Sequence, residues 1–130
     1  LFPTDSRKKA HVWQVCEVIN SGIQPLQNIS TTQALQTQFD AQESQIKDWI
    51  SFWVNKGFAA LETQLSQTAG QYSFGGEVTA ADVCLVPQIF TANRFNIDMS
   101  RFPVLQRISH NCEKLDAFQK AHPTKQPDTP

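Results

Sequence analysis

Apolar side chains along this chain recur every three or four residues, and this spacing predicts α-helices. No stretch alternates with a period of two for more than a few residues, so strands are not predicted. The longest helical pattern includes Ile46, Trp49, Ile50, Trp53, Val54, Phe58, Leu61 and Leu65. Its aromatic members could form a cofactor-binding stripe, but packing in a core is the favoured interpretation. The predicted fold class is all-α, a bundle of about five helices with one long antiparallel pair.

A second strongly apolar stretch runs from Gly75 to Phe95 and predicts a central helix. Thr79 is followed three residues later by Asp82, which is the pattern of a capping box at a helix start. Apolar residues then occupy every face of the first turns, and such a helix is expected to be buried all round. Pro87 lies inside this helix and predicts a kink or a local loosening.

Glycine and proline mark most of the other predicted boundaries. A first helix is expected to end at Gly22, within a polar, proline-broken segment, Ser21 to Thr32, that predicts a loop or a sharp bend. A last helical region should run from Pro103 to about Ala121. The predicted organisation is a helical domain over residues 1–121 and an irregular tail over residues 122–130, where three prolines oppose regular structure.

Charge and cysteine content narrow the possible partners and location. The formal net charge is −1, which argues against nucleic acid or an anionic membrane as the main partner. No apolar run is long enough to span a bilayer. Cys16, Cys84 and Cys112 are odd in number and lie in apolar helical patterns, so we expect buried, reduced thiols and a cytoplasmic location. The chain opens at Leu1 and its single methionine is Met99, which indicates a fragment, a processed form or an excised domain.

Few residues suggest chemistry. His11, His110 and His122 lack metal-ligand spacing with the cysteines, so no metal site is predicted. No Ser-His-Asp set, phosphate-binding glycine loop or pair of catalytic carboxylates is visible. Two polar clusters remain, one made of Gln24, Asn28, Ile29 and Ser30 and the other of Asn93 and Arg94.

Both polar clusters also have a purely structural explanation. Asn28 and Ser30 are common turn and helix-start residues. Arg94 would end the central helix, where a cation complements the helix dipole. Residue types alone favour this explanation for Arg94.

Four stretches match a known sequence pattern: Gly22 to Asn28 (GIQPLQN), Gly57 to Glu62 (GFAALE), Gly76 to Gln88 (GEVTAADVCLVPQ) and Gln126 to Pro130 (QPDTP). With these stretches the chain resembles the C-terminal helical domain of the zeta-class glutathione transferases, the maleylacetoacetate isomerases. The resemblance covers essentially the whole chain. It implies an N-terminal thioredoxin-like domain that this chain lacks, and a homodimeric full-length protein.

The resemblance also assigns site residues. It implies that Gln24, Asn28, Ile29 and Ser30 complete a glutathione site, and that Arg94 is the catalytic residue that lines a pocket for an acidic substrate. Between about residues 32 and 48 the chain is several residues longer than the pattern, so the pocket wall there is not predicted.

The implied activity is glutathione-dependent cis-trans isomerisation of maleylacetoacetate to fumarylacetoacetate, a step of tyrosine and phenylalanine catabolism. Arg94 suits it because a guanidinium pairs bidentately with a carboxylate and stabilises a developing enolate. On its own, this chain should be inactive, since the half that activates the thiolate is missing. The alternative function is a non-catalytic helical module for protein interaction.

Overall fold

The computed structural model describes residues 1–127, and helices make up most of them. Five helices have ten or more residues, which confirms the predicted all-α class. The described residues form no sheet, only isolated bridges between Tyr72 and Gly75 and between Phe74 and Glu77. The helical elements are α1 (Ser6–Glu17), a π-helical segment (Val18–Ile23), α2 (Gln24–Gln27), α3 (Ile29–Phe39), α4 (Glu43–Leu65), α5 (Ala80–Arg94), a 3₁₀ turn (Met99–Arg101), α6 (Pro103–Cys112), α7 (Asp116–Ala121) and a second 3₁₀ turn (Pro123–Lys125).

The first helical region and α4 form the predicted antiparallel pair. At one end the Gln64 side chain donates to Gln14 Oε1 (3.1 Å). At the other end the Trp49 indole N–H donates to the carbonyl of Leu26 (2.7 Å). Residue numbers therefore increase along one helix where those of the contacting residues decrease along the other, so the two run antiparallel. Of the aromatic residues in the predicted stripe of α4, Phe58 lies in the core and Trp49 packs against it, which confirms the packing interpretation for these two.

Of the two alternatives predicted for Ser21 to Thr32, the loop is wrong, because nearly all of this segment is helical, whereas the bend is present at Asn28. The helix does not end at Gly22 but widens into the π segment, where the N–H of Gln24 bonds to the carbonyl of Ile19, five residues back. Pro25 is tolerated because it lies at the start of α2. Only Asn28 is extended, with φ −61° and ψ 147°.

α5 begins at the predicted capping box. Asp82 is fully buried, and its Oδ2 accepts from the N–H (2.7 Å) and hydroxyl (2.9 Å) of Thr79. Its Oδ1 accepts from the N–H of Ser73 in the preceding loop (2.8 Å). The helix continues through Pro87 to Arg94. One carboxylate therefore fixes both the start of α5 and the loop that leads to it.

α5 is not buried all round, contrary to the prediction. Its inward face packs against α1 and α6 and includes Leu85 and Ile89. On the opposite face Val83 is 45% exposed, and Pro87 is exposed as well. Among residues 1–127, no element covers this outer face completely. The apolar composition of α5 therefore exceeds what the described part of the chain buries.

Glu62 of α4 caps α6 from outside. Its Oε1 and Oε2 accept from the N–H groups of Val104 (2.9 Å) and Leu105 (3.1 Å). Pro103 occupies the first position of α6, as predicted, and has no N–H that needs a partner. Phe102 just before it has no capping side-chain bond. A carboxylate from another helix thus takes the part that a local Ser, Thr or Asp usually plays.

The three cysteines are free thiols, but only two are buried. Burial and the neighbouring Cys84 thiol raise the pKa of Cys16 to about 12. Burial, with the Asp82 carboxylate nearby, raises the pKa of Cys112 to about 12. Cys84 is half-buried and accepts a long bond from the Asn20 amide (3.8 Å), because it lies on the flank of α5. The expectation of burial is therefore wrong for Cys84.

The C-terminal segment is more regular than predicted. α7 ends at Ala121, the predicted end of the helical domain. Residues Pro123–Lys125 then form a 3₁₀ turn, and His122 Nδ1 accepts from the N–H of Thr124 (3.3 Å). A proline is compatible with the first position of such a turn. The last three residues of the predicted tail, 128–130, lie outside the described residues.

α4 and the π segment approach each other closely at Gly57, and substitutions of Gly57 and Gly22 test this contact. An added Cβ at Gly57 would lie 2.4 Å from Cδ1 of the fully buried Ile23. Gly57→Ala should therefore lower the free energy of unfolding by about 1 to 2 kcal/mol, despite its better helix propensity. Urea unfolding of the full-length protein, followed by circular dichroism, measures this.

The control for that substitution is Gly22→Ala. No atom of the described residues lies within 4 Å of a Cβ built on Gly22, so the change should stabilise the protein by about 0.5 kcal/mol. Equal effects of the same sign at both glycines would contradict the close approach at Gly57.

Candidate functional site

Gln24 lies at the junction of the π segment and α2. Its side chain is half-buried, and Nε2 donates to Gln88 Oε1 of α5 at 2.6 Å. Among residues 1–127, no group donates to Gln24 Oε1. The amide is therefore held on one side by α5 and keeps its oxygen available on the other.

Gln27 and Gln88 complete a network of three amides that sequence reasoning missed. Gln27 Nε2 donates to Gln88 Oε1 (2.9 Å), and Gln88 Nε2 donates to Gln27 Oε1 (3.1 Å). Gln88 is fully buried and Gln27 is 9% exposed. The sequence does contain one indication of this network, the single amide of Gln88 inside an apolar helix. Such an amide needs a hydrogen-bond partner when it is buried.

Asn28 starts α3. Its Oδ1 accepts from the N–H (2.9 Å) and the hydroxyl (3.0 Å) of Ser30, so the expected structural role of these two residues is present. Both oxygen lone pairs of Asn28 are thus used within the turn, while no partner of its Nδ2 is found among the described residues. Ile29 is 71% exposed. This turn therefore presents an amide donor and an apolar side chain at the surface.

Arg94 is exposed in the last turn of α5. Within residues 1–127 its guanidinium has no hydrogen bond or ion pair. It follows Val83, Pro87 and Phe90 along the outer face of α5, at spacings of four, three and four residues. This position satisfies the dipole explanation and also leaves the guanidinium available to a ligand.

A cleft adjoins that outer face of α5. It has a volume of about 600 Å³ and separates α5 from α7 and the turn after it. Phe90 and Asn93 line one wall and Phe118 and Lys125 the other, with the His122 ring edge-on to Phe90 at 5.3 Å. Arg94 does not line the cleft, although its neighbour Asn93 does.

The structure therefore brings together some of the predicted site residues and not others. Gln24, Asn28, Ile29 and Ser30 share the α2–α3 turn, which the Thr31 hydroxyl braces by donating to the carbonyl of Pro25 (2.6 Å). Gln88 ties this turn to one side of α5. Gln88 and Arg94 are six positions apart, which places the two on different faces of the helix. Residues 1–127 thus bring the first predicted cluster together and leave Arg94 apart from it.

No helix in the described part of the chain has the length and apolar character needed to cross a bilayer.

Known proteins share both the fold and the sequence pattern of this chain. A family model described as "Glutathione S-transferase, C-terminal domain" matches residues 54–110. Maleylacetoacetate isomerase of Mus musculus is 45% identical over 130 residues, which are 100% of this chain and 57% of the mouse protein. The chain therefore spans about half the length of the curated relatives it matches.

Solved structures agree with these sequence matches. Maleylacetoacetate isomerase from Anaeromyxobacter dehalogenans 2CP-1, with bound GSH in its active site, has a TM-score of 0.94 and 39% identity, over 100% of this chain and 59% of that one. Maleylpyruvate isomerase from Pseudomonas aeruginosa PAO1 has a TM-score of 0.96 and 30% identity, over 100% of this chain and 69% of that one.

This chain has the all-α fold of these proteins, and its sequence is 30% to 45% identical to theirs. It therefore belongs to the glutathione S-transferase family and is its C-terminal helical domain. Within that family its relatives are the maleylacetoacetate isomerases of the zeta class, which confirms the resemblance seen in the sequence.

Proposed function

We propose that this chain is the helical half of a glutathione-dependent isomerase that converts maleylacetoacetate to fumarylacetoacetate in tyrosine and phenylalanine catabolism. In this proposal Gln24, Asn28, Ile29 and Ser30 contact glutathione, and Arg94 binds the acidic substrate. The observation that supports it most is the state of Gln24. Unlike the three exposed residues beside it, Gln24 is half-buried and held by a fully buried partner.

The residues present fit glutathione. Gln24 offers an amide oxygen that can accept from an N–H group, and Asn28 offers an amide nitrogen that can donate to a carboxylate or a carbonyl. Glutathione carries both kinds of group, since it is a zwitterionic tripeptide. Ile29 adds apolar surface beside them. The turn therefore has the donors and acceptors that such a ligand requires.

Arg94 fits the acidic substrate. Its guanidinium is unpaired among residues 1–127, so the substrate need not displace an existing partner. A bidentate pair with a carboxylate fixes orientation, and the positive charge stabilises an enolate that develops nearby. Bound glutathione would supply the thiolate that adds to the cis double bond and leaves after rotation about it.

Substitution of Arg94 tests this role in the full-length protein that contains this chain. Arg94→Ala should lower kcat/KM for maleylacetoacetate by about tenfold or more, or about 1.4 kcal/mol, because the pairing with the carboxylate is lost. Arg94→Lys should recover only part of the activity, since an ammonium cannot pair bidentately. Steady-state kinetics at saturating glutathione measure both.

The control for Arg94 is Arg7→Ala, which removes another exposed arginine, in the first turn of α1. Its kcat/KM should equal that of the wild type. An unchanged rate for Arg94→Ala would remove Arg94 from the mechanism. A full-length protein that has no glutathione-dependent isomerase activity would instead favour the alternative, a non-catalytic module for protein interaction.

We also propose a cellular compartment and an oligomeric state for the enzyme. The thiols of Cys16 and Cys112 are buried and form no disulfide. This suits a reducing compartment, and we place the protein in the cytoplasm.

The apolar outer face of α5 requires a cover, which the rest of the full-length protein would supply. We also propose a homodimer, and sedimentation of the full-length protein at micromolar concentration tests that assembly.

A further inference from the structure

We propose that Gln88 is a positioning residue for glutathione: it fixes the side-chain amide of Gln24 and thereby determines which atom of Gln24 meets the ligand. This inference rests on the proposed function of the α2–α3 turn. Gln88, a residue of α5, does not contact a ligand itself, because its side chain is completely buried. It acts only through the amides that it contacts.

The first step is the anchoring of Gln88. A buried amide is costly unless its polar atoms are paired. Gln88 meets this requirement with Gln27, since each donates to the other, at 3.1 Å and 2.9 Å. This two-way pair prevents the Gln88 amide from turning independently.

The second step is the orientation of Gln24. With Gln88 Nε2 directed to Gln27, the atom that Gln88 presents to Gln24 is Oε1, which accepts from Gln24 Nε2 at 2.6 Å. In this arrangement Gln24 Nε2 is occupied by Gln88, and Gln24 Oε1 is left without a partner among residues 1–127. Gln24 is thereby set to accept a hydrogen bond, so the group that it recognises is an N–H or ammonium donor of the ligand.

The third step is the benefit to binding. A free glutamine side chain must give up several rotamers when a ligand binds, and this reduces affinity. Gln88 has already removed that freedom, from a position 64 residues away in the chain. A side chain fixed by a buried partner before binding is pre-organised for its ligand.

A double-mutant cycle in the full-length protein tests the inference, with the dissociation constant of glutathione measured by isothermal titration calorimetry. Gln88→Met keeps the size of the side chain and removes its polar atoms. We expect Gln88→Met and Gln24→Ala each to weaken binding by about five- to tenfold. If Gln88 acts through Gln24, the double variant should bind no more weakly than Gln24→Ala alone.

Loss of stability must be separated from loss of positioning. Ile89→Val removes one buried methylene next to Gln88 in α5, where Ile89 is 4% exposed, and leaves the amides intact. It should lower the unfolding temperature but leave the glutathione dissociation constant unchanged. In steady-state kinetics Gln88→Met should raise the KM for glutathione and leave kcat at saturation unchanged.

The outcomes distinguish this inference from the proposed function. If Gln24→Ala weakens glutathione binding and Gln88→Met does not, the role of Gln88 is wrong and the site stands. Additive losses in the double variant, or equal weakening by Ile89→Val, would also refute positioning. If the wild-type protein does not bind glutathione, or Gln24→Ala binds as well as the wild type, both the ligand site and the role of Gln88 are refuted.

Discussion

Asp82→Ala should reduce the free energy of unfolding by about 3 kcal/mol or more. The change leaves the N–H groups of Ser73 and Thr79 buried without an acceptor, and each such group costs about 1 to 3 kcal/mol. It also removes the negative charge at the positive end of α5. Urea unfolding of the full-length protein, followed by far-ultraviolet circular dichroism, gives the difference.

Ser73→Ala is the matched control for Asp82. The Ser73 hydroxyl is buried and has no hydrogen-bond partner among residues 1–127, whereas the bond to Asp82 comes from the Ser73 backbone. Its removal should be neutral or slightly stabilising, because an unpaired buried hydroxyl is itself unfavourable. A loss below 1 kcal/mol for Asp82→Ala would show that the capping carboxylate is dispensable.

Glu62→Ala is expected to have the second largest effect, a loss of about 2 kcal/mol. The N–H groups of Val104 and Leu105 would lose their acceptors, and α6 would lose the anion at its N-terminus. The same urea titration measures the change. Hydrogen exchange should also show faster exchange of these two amides relative to the rest of α6.

Two variants define how Glu62 acts. Glu62→Gln keeps one acceptor oxygen and should lose about half as much stability. Glu77→Ala removes a carboxylate of an exposed residue in the loop before α5, and should change stability by less than about 0.5 kcal/mol. Similar losses for Glu62→Ala and Glu77→Ala would mean that the remote cap of α6 contributes nothing specific.

Sequence patterns predicted those features that depend on neighbouring residues. Thr79 and Asp82 lie three positions apart, so the start of α5 could be predicted without knowledge of the rest of the chain. The start of α6 at Pro103 and the long apolar stripe of α4 are local in the same sense. Each was confirmed because the interactions that specify it lie within one or two helical turns.

Features that depend on distant partners were missed or misjudged. The segment after Ser21 contains glycine and proline and predicted a loop, yet α4 packs against it and keeps it helical. The pairing of Gln24 and Gln27 with Gln88 spans more than 60 residues, and no local pattern specifies it. Val83 was expected to be buried but is 45% exposed, because no element among residues 1–127 covers it. The role of Arg94 stays a prediction, because its guanidinium makes no contact among residues 1–127 that would test it.

The π segment, Val18–Ile23, sets the register of the residues that follow it in the α2–α3 turn. A π turn accommodates one residue more than an α turn, and each residue advances a helix by about 100°. Loss of a single residue there during evolution would restore a regular helix and rotate Gln24 and Gln27 away from Gln88. The amide network therefore constrains chain length in this segment as strictly as it constrains residue type, and related sequences should tolerate substitutions at Gly22 more readily than deletions.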